Sequence, residues 1–384
     1  MRWTKLTMKK QTFFVIAIFF FCSTAYAWVD SNLDAKTTAL AQYLQASQDN
    51  RINVGVFRLT STGPDVNPRT CIKQPIMQGH EAVNGHLWGY TTQIPKIIEE
   101  YNNGSTIVWI SFNPWNPSAD CTGDCHYNDK TGSPMTCRKP AGACRATWTG
   151  WLDLLAEDIT TLNNAGIPVI LRLPQEMDGN WFWWGKDNPA ADYVEMYQDI
   201  VTYLRDTKGL HNILYSFSPD TPVTEAAWIE GPPLDGARYP GDAYVDIIGQ
   251  SIYVGDYPTF EDTAIRFAEL RRASEAHGKI WGVWEGAMDL HSINGNNPVT
   301  DNRGWTTYFD FILNNTDARK AAFINFWHAS NTSYSRFTQR TDDSYVNFLT
   351  VQTDPQYSRF TWGYGKTCTG TRINGVVPKG GTIK

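Results

Sequence analysis

The chain has 384 residues, 33 of them basic and 39 acidic, with 16 tryptophans. That length holds one large domain or two ordinary ones. The mildly acidic balance, with no basic stripe, argues against a nucleic-acid partner. So many indoles exceed what a core needs and suit a concave site that stacks on flat ligands.

The first residues read as a targeting segment. Arg2, Lys5, Lys9 and Lys10 form a basic region, residues 13–21 a short apolar run, and Ala25-Tyr26-Ala27 a small-x-small cleavage site. The apolar run is too short to span a bilayer comfortably, and no later stretch could do so. The expectation is a secreted protein, extracellular or periplasmic, with residues 1–27 as signal peptide and the mature chain starting near Trp28.

Residues 28–50 look helical and polar. Short apolar runs then recur at 52–57, 75–79, 106–112, 167–173, 212–217, 245–252, 279–284 and 322–327. Such runs, rich in branched residues, read as buried parallel strands. Helical patterns lie between most of them, at 92–101, 148–164, 193–205, 260–276 and 305–313. A long loop rich in Gly, Pro and Cys fills 113–146. Eight strands at this spacing predict an α/β fold, a (β/α)8 TIM barrel. A doubly wound sheet would offer a Gly-rich turn after an early strand, and no GxGxxG is present. Residues 28–384 therefore read as a single domain, with the stretch after 330 a tail packed on the barrel.

Beyond the targeting segment remain Cys71, Cys121, Cys125, Cys137, Cys144 and Cys368. An even number in an exported chain favours disulfides. Zinc is the alternative, but the spacings fit no common finger. The four loop cysteines are close in sequence and are expected to pair among themselves, leaving Cys71 to meet Cys368. No metal or cofactor is expected. His80-Glu81 lacks the second His of a zinc protease helix and reads as a loop pair past a strand, within reach of a ligand.

In a barrel of this kind, function sits at the C-terminal ends of the strands. Strand three ends in Asn113-Pro114-Trp115-Asn116, strand four in Gln175-Glu176, strand six in Tyr253, strand seven in Trp284-Glu285-Gly286 and strand eight in Trp327-His328. Glu176 is followed by Gly179 and then by Trp181-Phe182-Trp183-Trp184. Pyranose rings stack on indole, and a glycosidic oxygen needs a proton donor to leave. Two glutamates at one barrel mouth, walled by aromatic rings, make the inventory for retaining glycoside hydrolysis. A bland reading competes with this one: a buried aromatic cluster whose Glu only forms a salt bridge.

The segment Pro174-Gln175-Glu176-Met177-Asp178-Gly179-Asn180-Trp181-Phe182-Trp183-Trp184-Gly185 resembles the acid/base motif of glycoside hydrolase family 26. That family is chiefly β-mannanases, in the clan that carries its acid/base after strand four and its nucleophile after strand seven. The resemblance implies Glu176 as acid/base and Glu285, in Trp284-Glu285-Gly286, as nucleophile. It further implies that Tyr253 orients Glu285, that Asp246 supports the site, and that Trp181 and Trp327 stack on sugar. Three positions depart from the family. Gln175 stands where His is usual and can donate to a sugar hydroxyl but cannot titrate. Asp178 stands in place of Asn, a carboxylate able to raise the pKa of Glu176. Asn113 replaces His before Pro114. Asn113, Trp115 and Gln175 join the expected substrate contacts. The implied function is endo-acting, retaining cleavage of a β-linked polysaccharide, β-1,4-mannan first, by a monomer. A β-1,3-xylanase or mixed-linkage glucanase is the enzymatic alternative, and a non-catalytic carbohydrate-binding barrel the other.

Overall fold

The computed structural model describes residues 28–57, 76–87, 89–102, 107–118, 125–220, 238–254, 260–288, 304–327 and 350–362. The expected signal peptide, Cys71, Cys121, His328 and Cys368 lie outside these residues, as do the side chains of Tyr253 and Trp327.

Helix α1 (Ala35–Asn50) leads into eight strands. These are β1 (Ile52–Phe57), β2 (Met77–Ala82), β3 (Ile107–Phe112), β4 (Val169–Arg172), β5 (Ile213–Phe217), β6 (Ile247–Val254), β7 (Ile280–Met288) and β8 (Phe323–Trp327). Each pairs in parallel with the next, and β8 pairs with β1, so the sheet closes on itself. Helices α2 (Tyr90–Asn102), α4 (Arg145–Asn164), α5 (Ala190–Thr202), α6 (Phe260–Ala276) and α7 (Gly304–Asn314) fall between strands, and a short turn, α3 (Pro134–Cys137), sits in the long loop. The fold is a (β/α)8 barrel. α4 illustrates why these segments coil: Trp148, Leu152, Leu155, Ile159 and Leu162 recur at helical spacing and are all buried. Strand β9 (Phe360–Thr361) pairs with the start of β1, and Phe360 meets Phe309 of α7 edge-on at 4.3 Å.

Inside the barrel, alternate residues of each strand meet. Met77, Trp109, Ile170, Leu214, Ile247, Ile280, Trp284 and Phe323 form this inner core, and Ala41 and Leu44 of α1 join it. Two indoles fit because the neighbouring strand offers glycine. A Cβ on Gly79 would lie 2.2 Å from the Trp109 ring, and one on Gly249 would lie 2.3 Å from that of Trp284.

Two departures from the sequence reading matter for the site. β2 runs to Ala82, so His80 and Glu81 belong to a strand and not to a loop. Gln78, His80 and Glu81 disguise it: Glu81 shares the inward face with Met77, Gln78 and His80 lie on the opposite face, and buried polar residues on both faces leave no apolar signature. β7 also runs past its apolar run, to Met288, and carries a bulge. Gln250 faces Val283 while Ser251 faces Glu285, so Trp284 has no counterpart in the ladder. A bulge resets the side-chain phase. Trp284 therefore fills the inner core, and the very next residue, Glu285, also turns inward to meet Arg172.

Gly249→Ala should force the Trp284 ring aside. Overpacking of this kind typically costs roughly 1–3 kcal/mol. A urea midpoint unchanged from the parent protein would show that the ring has room to move.

Candidate active site

The mouth of the barrel is lined by inward-facing polar residues of several strands, among them Glu81, Ser111, Arg172, Ser251 and Glu285, just above the apolar core. Arg172 is the last residue of β4 and fully buried. Its Nε donates to Ser218 Oγ at 2.9 Å, its Nη1 to Glu285 Oε1, and its Nη2 to Ser251 Oγ at 3.4 Å. Ser251 Oγ then donates to Glu176 Oε1 at 2.8 Å. Both expected glutamates thus converge on one guanidinium, directly for Glu285 and through a serine for Glu176. Arg172 is missing from the sequence reading. Its signal was a cation inside an otherwise apolar run, which a barrel interior accepts only opposite an anion.

Glu176 sits in the left-handed region, with φ 53°. For a non-glycine residue such geometry costs roughly 1–3 kcal/mol and persists only where its surroundings fix it. Here the Glu176 amide donates to Ser218 O at 2.7 Å, and its carbonyl accepts from Gly179 N at 3.0 Å. Trp181 Nε1 donates to Glu176 Oε2 at 2.9 Å, so both carboxyl oxygens are held. Burial, then the charge of Glu285, then that of Asp220 push the Glu176 pKa well above the ordinary range, against smaller opposing effects of Arg172 and Ser251. Asp178, expected to supply that push, instead accepts from the Asp220 amide at 2.8 Å and so helps hold the carboxylate that does.

Gln175 does not reach outward as a sugar donor. Its Nε2 donates to Glu285 Oε1 at 3.1 Å, and its Oε1 accepts from Ser111 Oγ at 2.6 Å. Asn113 Nδ2 donates to Glu81 Oε1 at 3.1 Å, which brings a third buried carboxylate into the mouth. Trp115 lies beneath the long loop, 6.0 Å from the His126 ring. Asp246 is elsewhere. It precedes β6 by one residue and accepts the amides of Val29 and Tyr215 at 2.8 and 2.9 Å. Ile247 is level with Ser216, which is level with Arg172, so Asp246 lies below the mouth and takes no part in it. Burial pushes its pKa up to about 6.

The aromatic run divides. Phe182, Trp183 and Trp184 are buried core, and only Trp181 is exposed, at 41%. Its ring lies across Gly179, where a Cβ would come within 2.3 Å. In the long loop, Cys137 and Cys144 are bridged, as expected of loop cysteines. Cys125 is also disulfide-bonded, to a partner outside the described residues. No helix among the described residues is long and apolar enough to cross a membrane.

Two carboxyl groups, one just past β4 with its pKa raised and the other on β7 matched by a guanidinium, can together cleave an acetal. The model of glycosyl hydrolase family 26 matches residues 29–283. The chain belongs to this family. A mannan endo-1,4-beta-mannosidase of Bifidobacterium adolescentis is 35% identical over 164 residues, 41% of this chain and 15% of that protein. One from Bacillus subtilis is 38% identical over 112 residues, 27% of this chain and 29% of that protein. The chain thus spans less than a third of the length of either relative. Among solved structures, the catalytic domain of a Bacillus sp. JAMB-750 endo-beta-1,4-mannanase superposes with a TM-score of 0.73 at 24% identity, over 88% of this chain and 94% of that one. A modular endo-beta-1,4-mannanase from Cellulomonas fimi gives 0.72 at 22% identity, over 88% and 78%. At such identities these likenesses speak for the fold.

The charge of Glu285 is the main electrostatic reason for the raised pKa of Glu176 after burial itself. Glu285→Gln should therefore lower the Glu176 pKa while leaving it above that of an exposed Glu. Carboxyl carbon NMR titration reads this directly. An unchanged titration midpoint in the variant would mean that the two groups do not interact.

Proposed function

We propose that this chain is a secreted, endo-acting, configuration-retaining β-1,4-mannanase formed by one catalytic domain. The observation that carries the reading is the single network in which Arg172 binds Glu285 and, through Ser251, also holds Glu176, whose pKa is raised. An acid whose pKa is raised by burial and by a neighbouring carboxylate, beside a carboxylate that is held and oriented, is the division of labour that a double displacement needs.

In the first step Glu285 attacks the anomeric carbon. The bond to the glycosidic oxygen breaks, and that oxygen takes the proton of Glu176. In the second step Glu176, now a carboxylate, removes a proton from water. The water oxygen attacks the anomeric carbon, and Glu285 leaves. Arg172 and Gln175 orient the nucleophile through Oε1, and Tyr253 assists them in this reading. Once Glu285 is esterified, its charge no longer raises the pKa of Glu176, which suits the change from acid to base. Trp181, exposed beside the acid, and Trp327 stack on sugar. Mannan is the favoured polymer because the relatives named above are mannan endo-1,4-beta-mannosidases. The amide of Gln175 is engaged at both ends by protein. Its departure from His therefore alters the support of Glu285 more than sugar contact, which weakens the xylanase and glucanase alternatives.

Product analysis on mannan, β-1,3-xylan and mixed-linkage glucan tests the substrate. Proton NMR of the first product tests the stereochemistry. The β-anomer should appear before mutarotation, since retaining carboxyls stand about 5–5.5 Å apart and admit no water between nucleophile and sugar. An α-anomer appearing first would remove Glu285 from the role of nucleophile.

Glu176→Ala should still form the glycosyl-enzyme from an activated aryl glycoside, because a good leaving group needs little protonation. The intermediate should accumulate, and azide should release it as a β-glycosyl azide. Glu285→Ala should yield no such adduct. A fluorosugar label on any other residue would falsify the assignment.

A further inference from the structure

The long loop after β3 supplies no residue to the chemistry above, yet it grips the turn that carries Trp181. That turn, residues 179–187, is closed at its neck, where the Lys186 amide donates to Gly179 O at 2.7 Å. Contacts from the loop fall on either side of Trp181. Lys130 Nζ donates to the carbonyl of Asn180, just before it. The amide of Trp183, two residues after it, donates to Tyr127 O at 3.1 Å. Lys130 Nζ also donates to Asp187 Oδ2 at 2.7 Å, so one ammonium spans both limbs of the turn. The Tyr127 ring meets that of Phe182 edge-on at 5.5 Å.

Lys130 is held in turn by Asn116, which is buried at the foot of the loop. Asn116 Nδ2 has two protons. They go to Asp129 O at 2.9 Å and Thr131 O at 2.7 Å, the carbonyls on either side of Lys130. Asn116 Oδ1 accepts from Ser118 N at 2.8 Å, and the Asn116 amide donates to Cys125 O at 2.8 Å. The Thr131 amide closes the bend on Asp129 Oδ1 at 2.8 Å. A relay therefore runs from Asn116 to the backbone around Lys130, from Lys130 to both limbs of the turn, and from Trp181 Nε1 to Glu176 Oε2.

The side chains of Lys130 and Asp187 are 41% and 55% exposed. An ion pair so exposed contributes little to stability. What it can fix is geometry. Trp181 is the ring whose N–H meets one oxygen of the acid, and a misplacement of about 1 Å at a catalytic group can cost roughly 10²-fold in rate.

We propose that Lys130 is a positioning residue for the general acid. By holding both limbs of the Trp181 turn it sets the indole N–H against Glu176, and Asn116 sets Lys130. The proposal rests on the reading of Glu176 as the acid/base.

The test is kinetic. Each variant is assayed on an oligosaccharide that the unmutated enzyme cleaves and on a dinitrophenyl glycoside of the same sugar, whose leaving group needs little protonation. Lys130→Met keeps the methylene stem and removes the ammonium. Its kcat/KM on the oligosaccharide should fall roughly 3–10-fold, a part of the roughly 10²–10⁴-fold that general acid catalysis contributes, with less than about a twofold fall on the aryl glycoside. A hydrogen bond donated to a carboxylate favours its charged form. Loosening the Trp181 bond should therefore raise the Glu176 pKa and move the alkaline limb of the kcat/KM profile to higher pH. Trp181→Phe removes the N–H and should show the same pattern, and Lys130→Met should add nothing in that background. Equal losses on the two substrates would overturn the proposal. So would an unmoved alkaline limb, or a full further loss in the Trp181→Phe background. Glu176→Ala is the reference and should show the largest gap between the two substrates. No gap in that reference would sink the acid reading and the proposal with it. A gap there that Lys130→Met lacks would remove the role of Lys130 alone.

Discussion

The mouth of this barrel depends on the buried pair of Arg172 and Glu285. Neither charge could be left alone at this depth, since removing one partner of such a pair typically destabilises by about 3–5 kcal/mol. Arg172 has a hydrogen-bond partner for Nε, Nη1 and Nη2, and two of those partners are serines, Ser218 just past β5 and Ser251 on β6. The serines give the network a direction. Ser251 has one proton, spent on Glu176, so it must accept from Arg172. Ser111 likewise gives its proton to Gln175, whose amide nitrogen then donates to Glu285. Donation thus runs towards both glutamates. Glu285 is met by a cation and an amide, Glu176 by neutral donors only, and the two carboxyls are made unlike by what faces them.

Much of this was legible in the sequence. Eight apolar runs at regular spacing could hardly close any other way, and strand ends located Glu176 and Glu285 before any geometry was known. The polar lining of the mouth was not legible. Arg172, Ser111, Ser251 and Glu81 lie within strands, where pattern reading looks for apolar residues and treats an exception as noise. A polar residue on an inward position of a barrel strand is a stronger signal than it looks, because it must find a partner across the barrel. The β2 boundary failed for the same reason, as Gln78, His80 and Glu81 broke the apolar run that marks a strand.

Other misreadings had different causes. The run from Trp181 to Trp184 looked like a sugar platform, yet three of its four rings pack into the core and only Trp181 faces solvent. Adjacent aromatic residues on an irregular turn point in different directions, so a cluster in sequence is not a surface in space. Asp246 was carried into the site by likeness alone. Its distance from the mouth follows from register, which a motif does not contain. The Gln175 departure looked like a change in sugar recognition because its neighbours Ser111 and Glu285 are remote in sequence.

The bulge in β7 ties two unrelated jobs to consecutive residues. Trp284 fills the interior and Glu285 turns into the mouth to meet Arg172, although a regular strand would turn one of them outwards. Substitution at either position changes one job. Deleting the extra residue would change both, because every side chain beyond it would swap faces. In this barrel the spacing of β7 is therefore held more tightly than the identity of its residues. A route by which the chain could acquire another chemistry runs through replacing the side chains at the mouth, not through lengthening or shortening the strand that carries Glu285.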